Sequence, residues 1–307
     1  MIWIIFICLI LAALLGGGYY AYRIAFYSPK EGRDKIPVHS GKQYDPYREE
    51  MARLYSQLGG RPCEFVTIRS QYGLTLSGRY YHAADGAPLD IGFHGYRSSP
   101  LTDFCGGAEL SFQLGHNLLL VDQRAHGKSQ GRTITFGIKE RWDVLSWVQY
   151  AVDRFGETTK ILLYGVSMGT ATVLMASEVD LPDNVKGIIA DCPYSSPSKI
   201  IRKVAKGMRI PDWLAWLFAT VGAKVYGGFD LNETDAARAV KHAQVPILLI
   251  HGEADGFVPC DMSAEVQEAN PSLVTRCTFP GADHGLSYLA DTPRYRKIVT
   301  EFIARVI

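Results

Sequence analysis

The sequence predicts an α/β protein with a mostly parallel central sheet flanked by helices. Two short apolar or β-branched segments come first, and from the third onward such segments alternate with helical patterns or polar loops. This order is typical of a sheet with helices on both faces. Ligands of such sheets lie beyond the carboxyl ends of the strands, so functional residues are expected directly after strands. The predicted strands are 65–68, 74–81, 89–93, 118–121, 161–164, 185–190, 247–250 and 276–279.

Composition excludes some classes of function. The 307 residues, 47% of them hydrophobic, suffice for a large buried core. With 32 Lys and Arg against 31 Asp and Glu and no long block of one sign, the chain has no electrostatic footprint for nucleic acid. The cysteines show no C-x-x-C spacing, so neither a zinc site nor a redox motif is predicted. They are Cys8, Cys63, Cys105, Cys192, Cys260 and Cys277.

Residues 1–23 are predicted to form a transmembrane anchor. No charged side chain occurs from Ile2 to Tyr22, and about 21 residues at about 1.5 Å each give a helix of about 32 Å, which crosses the hydrocarbon core. A cleaved signal peptide is the alternative, but no basic residue precedes the apolar segment and no clear A-x-A site follows it. The positive-inside rule places the rest of the chain in the cytoplasm, because the flanking cations all follow the segment. They are Arg23, Lys30, Arg33 and Lys35.

Residues 24–60 are predicted to be a connector with one helix, and residues 61–307 to be the main domain. In the connector, Asp45 is expected to cap the helix, Pro46 to occupy its first position, and Gly59 and Gly60 to end it. The anchor lies outside the alternating pattern. Removal of residues 1 to about 27 is therefore expected to leave a soluble, active domain.

Ser167 is the predicted nucleophile. It lies in Gly165-Val166-Ser167-Met168-Gly169, which matches G-x-S-x-G, directly after a predicted strand and before an Ala-rich helical pattern. Such a strand–turn–helix arrangement, with glycines where the two backbones crowd together, exposes a serine on a strained turn. The segment Gly127-Lys128-Ser129-Gln130-Gly131 also matches, but no helix pattern follows it. Context therefore favours Ser167 over Ser129.

His284 is the predicted general base. A serine hydroxyl needs an adjacent imidazole to remove its proton. In proteins whose serine lies on such a strand–helix turn, the three catalytic residues follow one another along the chain in the order Ser, acid, His. His284 follows the last predicted strand in a polar loop. His251 also comes after the nucleophile, but it directly ends a strand and precedes the acid candidates.

Asp255 is the predicted acid of the triad. It lies in a loop after a strand between Ser167 and His284, where a carboxylate can orient the imidazole. Asp191, at the end of the preceding strand, is the second candidate, and Glu253 is a weaker one. Asp283 is interpreted as a solvated loop carboxylate.

Two backbone N–H groups are predicted to form an oxyanion hole. Met168 follows the nucleophile and begins a helix, so its N–H lies at the positive helix end. Tyr96 is expected to supply the second N–H, because the strand ending at Phe93 runs into His94-Gly95-Tyr96. His94 is expected to brace this loop.

Together these segments resemble the α/β-hydrolase superfamily, specifically its serine aminopeptidase-like (S33-type) and monoacylglycerol-lipase-like branch with membrane-anchored relatives. The resemblance covers about residues 62–307. It includes Asp122-Gln123-Arg124-Ala125-His126-Gly127-Lys128-Ser129, in which Ala125 stands where the branch usually has Gly. The resemblance implies an ester, thioester or amide substrate and no cofactor.

Residues 194–241 interrupt the alternation and are expected to form a helical lid over the nucleophile. Large apolar side chains such as Trp213 and Phe218 are expected to pack on the domain, to line an acyl pocket or to touch the bilayer. In the last case Lys199, Arg202, Lys203 and Lys206 would meet anionic head groups.

Hydrolysis of a small or lipidic carboxylic ester through an acyl-enzyme is the leading functional hypothesis. A peptidase acting on N-terminal residues and a thioesterase acting on acylated proteins are alternatives. A hydrolase-fold binding or scaffolding protein is the non-enzyme alternative, but such a protein would normally have lost part of the triad.

Overall fold

An eight-stranded sheet forms the centre of the protein in a computed structural model that describes residues 1–33 and 41–307. All eight predicted strands are confirmed. Lys35, one of the cations used to predict orientation, lies outside the described residues. The strands are β1 (Glu64–Arg69), β2 (Thr75–Tyr81), β3 (Leu89–Phe93), β4 (Asn117–Asp122), β5 (Ile161–Val166), β6 (Val185–Asp191), β7 (Ile247–Gly252) and β8 (Val274–Phe279).

The strand order β1-β2-β4-β3-β5-β6-β7-β8 places the carboxyl ends of the last six strands at one edge. β2 pairs antiparallel with β1 and β4, and every other pairing is parallel. The predicted mostly parallel sheet is thereby confirmed. The loops after β3, β5, β7 and β8 carry the predicted site residues, so this topology brings them to one edge.

Twelve α-helices occur in the described residues, and several are extended by short 3₁₀ or π segments. They are α1 (Ile2–Ala21), α2 (Arg48–Gly59), α3 (Pro100–Asp103), α4 (Gly107–Gln113), α5 (Glu140–Phe155), α6 (Met168–Met175), α7 (Pro197–Gly207), α8 (Asp212–Val221), α9 (Ala236–Ala239), α10 (Asp261–Ala269), α11 (Ser287–Ala290) and α12 (Thr292–Val306).

The core lies on both faces of the sheet. Every residue of β3, β4 and β7 is buried, as expected for parallel strands covered on both sides. On one face, Trp147 of α5 joins Ile91 and Leu119. On the other, Phe302 of α12 joins Leu162 and Ile189. This double burial fixes the strand ends that carry the site.

The connector helix begins later than predicted. A 3₁₀ segment, Lys42–Tyr47, contains Asp45 and Pro46, and α2 starts at Arg48. Asp45 does not cap the helix. Its carboxylate instead lies 2.7 Å from the Arg48 guanidinium. This exposed ion pair occupies the oxygen that would accept the capping hydrogen bond.

The N-terminal helix α1 packs along α8 of the 194–241 insertion. Gly17 lies against the Phe218 ring, and a Cβ at Gly18 would be 2.5 Å from Val221 Cγ1. The first part of α1 stays exposed, and Ile2, for example, is 80% accessible. The helical segment Ile2–Phe26 is long and apolar enough to cross a membrane, and a signal sequence would meet the same two criteria.

Candidate active site

Ser167 lies on a sharp turn between β5 and α6. Its backbone adopts φ 54° and ψ −113°, a strained conformation for a residue with a side chain. The flanking glycines make the turn possible. A Cβ at Gly165 would lie 2.5 Å from the Gly169 carbonyl oxygen, and a Cβ at Gly169 would collide with the Phe93 carbonyl. The local geometry is that of a nucleophile elbow, with the serine at its tip.

His284 connects Ser167 to Asp255. Its Nε2 lies 2.9 Å from Ser167 Oγ, and its Nδ1 lies 2.8 Å from Asp255 Oδ2. With Nδ1–H donating to the carboxylate, Nε2 is free to accept the serine proton, which is the tautomer a general base needs. The topology thus brings together three residues from loops after β5, β7 and β8.

The Asp255 carboxylate is fully hydrogen-bonded. Oδ1 accepts from the N–H groups of Phe257 (2.9 Å) and Val258 (2.7 Å), while Oδ2 faces His284 and lies 3.3 Å from His251 Nε2. Burial by itself raises the pKa of Asp255, but the hydrogen bonds from His251, His284 and Val258 outweigh it and hold the pKa well below its ordinary value. Asp255 therefore stays ionised.

The other acid candidates bond elsewhere. The Asp191 carboxyl accepts from Ser287 Oγ at 3.3 Å, and burial raises its pKa to about 7. Glu253 accepts from Thr278 on the surface. Asp283 accepts from the backbone N–H of Gly256 and of its neighbour His284. Of the predicted acids, Asp255 has the geometry to orient the imidazole.

Ser129, the serine of the second G-x-S-x-G segment, is buried and holds two strands together. Ser129 is 2% exposed, donates to the Asp122 carbonyl at 2.5 Å and accepts from the Ser77 N–H at 2.9 Å. It thereby ties β2 to the end of β4. Ala125 on the same loop adopts φ 63°, a left-handed conformation that Gly, its usual counterpart, would adopt without strain.

The loop after β3 passes beside Ser167. A Cβ at Gly95 would lie 3.3 Å from Ser167 Cβ. The next residue, Tyr96, packs against the buried cluster that contains Met168. The N–H groups of Tyr96 and Met168 are the predicted oxyanion donors. Within residues 1–33 and 41–307, neither N–H donates to a protein acceptor. Both groups are available for an oxyanion.

Two neutral imidazoles brace this loop. His94 Nε2 accepts from the Gln123 N–H at 3.1 Å, and His126 Nε2 accepts from the Arg97 N–H at 2.9 Å. Burial lowers the pKa of both histidines, so each ring keeps a lone pair for its backbone donor. The Asp103 carboxylate adds a 2.6 Å bond from the Gly95 N–H. His94 has the bracing position that was predicted for it.

Comparison with known proteins identifies the fold. A family model described as "alpha/beta hydrolase fold" matches residues 92–219. In the solved structure of the Pyrococcus furiosus esterase Pf2001, 97% of that chain aligns with 88% of this one, with a TM-score of 0.66 and 23% identity.

This protein has the α/β-hydrolase fold.

Two curated relatives are similar in sequence. The uncharacterized protein YqkD of Bacillus subtilis is 26% identical over 96% of this chain and 94% of its own length. Protein ABHD12B of Homo sapiens is 26% identical over 78% of this chain and 68% of its own.

A cavity of about 420 Å³ opens beside Ser167 in this hydrolase fold. The connector forms part of its wall, since Tyr44 donates a 3.1 Å bond to the His284 carbonyl. The sequence interpretation missed these lining residues, because no local pattern marks a wall assembled from distant segments. They include Tyr44, Met51, Asp103, Leu110, Tyr164, Ile189, Tyr288, Leu289, Tyr295 and Val299.

The helical insertion at 194–241 does not line this cavity, and the expectation that Trp213 and Phe218 form an acyl pocket is wrong. The apolar side of α8 packs on α1 instead. Three of the four insertion cations also bind protein groups. Lys199 pairs with Glu265 at 2.6 Å, Arg202 with Asp212 at 3.4 Å, and Lys203 donates to the Phe257 carbonyl at 2.7 Å.

Cys192 approaches the same centre, with Sγ 4.0 Å from His284 Nε2. Its ligand atom and those of Asp255 and His284 lie within 4.8 Å of one another. Burial, with Asp191 and Asp255 nearby, raises the pKa of Cys192 well above its ordinary value, whereas a metal needs a thiolate. Both His284 nitrogens also already face Asp255 and Ser167. The cluster does not suit a metal ion.

Proposed function

We propose that this protein is a serine hydrolase that cleaves carboxylic esters through an acyl-enzyme. The continuous hydrogen-bonded chain from Ser167 Oγ through His284 to the Asp255 carboxylate carries the proposal. A protein that only binds or scaffolds has no need of a strained serine, an oriented imidazole and an ionised acid in one cavity.

In the proposed reaction, Ser167 Oγ attacks the ester carbonyl while His284 Nε2 takes its proton. The N–H groups of Met168 and Tyr96 stabilise the developing oxyanion, and the imidazolium then protonates the leaving alkoxide. Water, deprotonated by His284, attacks the acyl-enzyme. The imidazolium then returns a proton to Ser167 Oγ as its bond to the acyl carbon breaks, which releases the acid product and regenerates Ser167. Asp255 remains ionised throughout and stabilises the imidazolium.

The cavity supports an acyl group of modest size. Its volume of about 420 Å³ is at the lower end of the range for small-molecule sites. Apolar side chains such as Met51, Leu110 and Leu289 line it, which favours an aliphatic or lipid-like chain. One solved structure with the same fold is that of an esterase, which supports the choice of an ester.

We further propose that residues 1–23 anchor the protein in a membrane, with 24–60 as connector, 61–307 as hydrolase domain and 194–241 as its helical insertion. The packing of Phe218 on Gly17 supports retention of α1, because cleavage would uncover the apolar side of α8. Trp213 is 63% exposed and Leu217 38%, which supports bilayer contact by α8. The cations that follow the helix support a cytoplasmic position for the domain.

A substrate screen tests the proposed reaction. The purified chain in detergent is given p-nitrophenyl esters of increasing chain length, monoacylglycerols, acyl-CoAs and aminoacyl amides. We expect turnover of esters to exceed that of amides. Preference for aminoacyl amides would favour a peptidase, preference for acyl-CoAs a thioesterase, and turnover of none of them by a folded protein would contradict the proposal.

A further inference from the structure

The loop that carries the Tyr96 N–H is bonded to the end of the N-terminal helical segment. The Tyr96 hydroxyl donates to the Ala25 carbonyl at 2.9 Å and lies 3.4 Å from the Ile24 carbonyl. The next residue, Arg97, donates from Nη2 to the carbonyls of Ile24 at 2.7 Å and Tyr27 at 3.1 Å. Two consecutive side chains therefore reach the same helix end.

These bonds provide partners for carbonyl groups at a helix end. The last carbonyls of a helix have no partner within it and carry partial negative charge, so they are stabilised by donors and by cations. Here α1 continues as a π-helical turn, Tyr22–Phe26. The Phe26 carbonyl accepts from the Ile134 N–H at 2.8 Å. The hydrolase domain thus supplies donors to the carbonyls of all four residues from 24 to 27.

The acceptors are held firmly in the domain. Phe26 is fully buried and meets the rings of Phe136 and Phe229 at 5.6 and 5.3 Å. Two residues further on, Ser28 donates its N–H to the Arg132 carbonyl at 2.9 Å. Residues 24–28 therefore form a fixed support and differ from the exposed first part of α1.

The loop that this support contacts contains a residue with a strained backbone. Arg97 adopts φ 52°, a region that L residues avoid without outside restraint. Its N–H is held by His126 from one side and its guanidinium by the helix end from the other. Loss of the second contact would let the loop relax, and the adjacent Tyr96 N–H would move with it.

We propose that residues 24–28 are a positioning element of the active site, which holds the oxyanion-hole N–H of Tyr96 in place through the side chains of Tyr96 and Arg97. This inference rests on the proposed hydrolase function and deepens it. It makes the position of residues 24–28 a determinant of turnover, because this segment and the oxyanion loop are one hydrogen-bonded unit.

The double variant Tyr96→Phe/Arg97→Met tests this in the full-length chain. It removes the side-chain donors but keeps both backbone N–H groups. The matched control is Tyr226→Phe/Lys224→Met. It removes the Tyr226 hydroxyl, which donates to the Leu15 carbonyl of α1 at 3.1 Å, and the charge of the exposed Lys224 two residues before it. Ester turnover is normalised to the number of serines titrated by a fluorophosphonate, and inhibition by a trifluoromethyl ketone is measured alongside.

We expect kcat of the double variant to fall about tenfold or more with KM changed less than twofold, because a displaced donor affects the transition state. Affinity for the ketone, whose adduct carries the oxyanion, should fall by a similar factor, while the control resembles wild type. Should the double variant misfold, Tyr96→Phe alone is expected to lower kcat about threefold or more with the same pattern.

Wild-type kcat and ketone affinity in folded Tyr96→Phe and double variants would overturn the inference, as would an equal loss in the control. A change confined to the unfolding midpoint would also overturn it, since the contacts would then be merely structural. A wild-type chain without ester turnover would instead remove the proposed function itself.

Discussion

The Phe218 ring lies directly on Gly17, so that no side chain larger than hydrogen fits at residue 17 without displacing it. This contact turns the apolar side of α8 toward the N-terminal helix. The cavity at Ser167 is walled by other segments, including Leu289 of α11. Chain-length selectivity should therefore depend on the cavity wall and be independent of α8.

Leu289→Trp is expected to shorten the acyl chain that the enzyme accepts. The larger side chain fills part of the cavity, so kcat/KM for octanoate esters should fall about tenfold or more relative to acetate esters, a loss of roughly 1.4 kcal/mol or more of binding. Trp213→Ala is the matched control on the insertion and should leave the ratio unchanged. If Trp213→Ala alone altered the ratio of octanoate to acetate kcat/KM, the acyl site would instead lie at α8.

Ser167→Ala is expected to abolish ester turnover, while Ser129→Ala keeps the turnover per folded molecule. Ser129 accepts a buried N–H from Ser77, so its removal should lower the free energy of unfolding by about 1–3 kcal/mol. Turnover and urea unfolding of both variants check this. Equal loss of activity in the two would refute the elbow as the distinguishing feature.

Asp255→Asn is expected to reduce kcat by about 10⁴-fold while the protein stays folded, because the amide favours the wrong imidazole tautomer and removes the charge partner. Asp191→Asn, on the neighbouring strand end, serves as the comparison and should retain most activity. If the two effects were exchanged, Asp191 would be the acid.

The buried Asp191 is expected to make stability fall as pH rises. Burial raises its folded pKa to about 7, above an unfolded value of about 4. The stabilising protonated form is therefore fully present below about pH 4 and is lost as pH rises through about 7. Asp191→Asn should be more stable than wild type at pH 8, with a difference that shrinks toward pH 4. Thermal unfolding at several pH values measures this, and a constant difference would contradict it.

The ester turnover of a truncated chain should depend on where the chain is cut. A chain lacking residues 1–20 keeps Phe26 and the carbonyls that Tyr96 and Arg97 bind, and is expected to retain turnover in detergent. A chain lacking residues 1–27 loses Phe26 from the core and should lose most of its activity, contrary to the expectation from sequence alone. Matched assays of the two chains decide, and equal activity would contradict the structural account.

Much of the fold was predictable because its signals are local. Continuous apolar segments identified every strand, and the glycine spacing around Ser167 marked a tight strand–helix turn. The predicted positions of His284 and Asp255 after strands correspond to residues that the sheet topology brings within hydrogen-bonding distance of each other. Parallel strand order is enough to bring such loops together.

The missed features depend on contacts between distant segments. Tyr44 reaches the His284 loop across 240 residues, and nothing near Tyr44 in the sequence indicates that partner. The apolar residues of α8 correctly indicated a covered surface, but a sequence pattern does not say which of two apolar surfaces covers it. The same limit hid the burial of Phe26, which lies in the predicted connector just after the anchor.

Covalent capture of the acyl-enzyme tests the central claim most directly. The full-length chain is mixed with a slowly hydrolysed p-nitrophenyl ester, quenched in acid within one turnover, digested and mapped by mass spectrometry. We predict a burst of nitrophenolate equal to the enzyme concentration and one acylated peptide, modified at Ser167. Turnover without a burst or an adduct, or an adduct at another residue such as Ser129 or Cys192, would contradict the account.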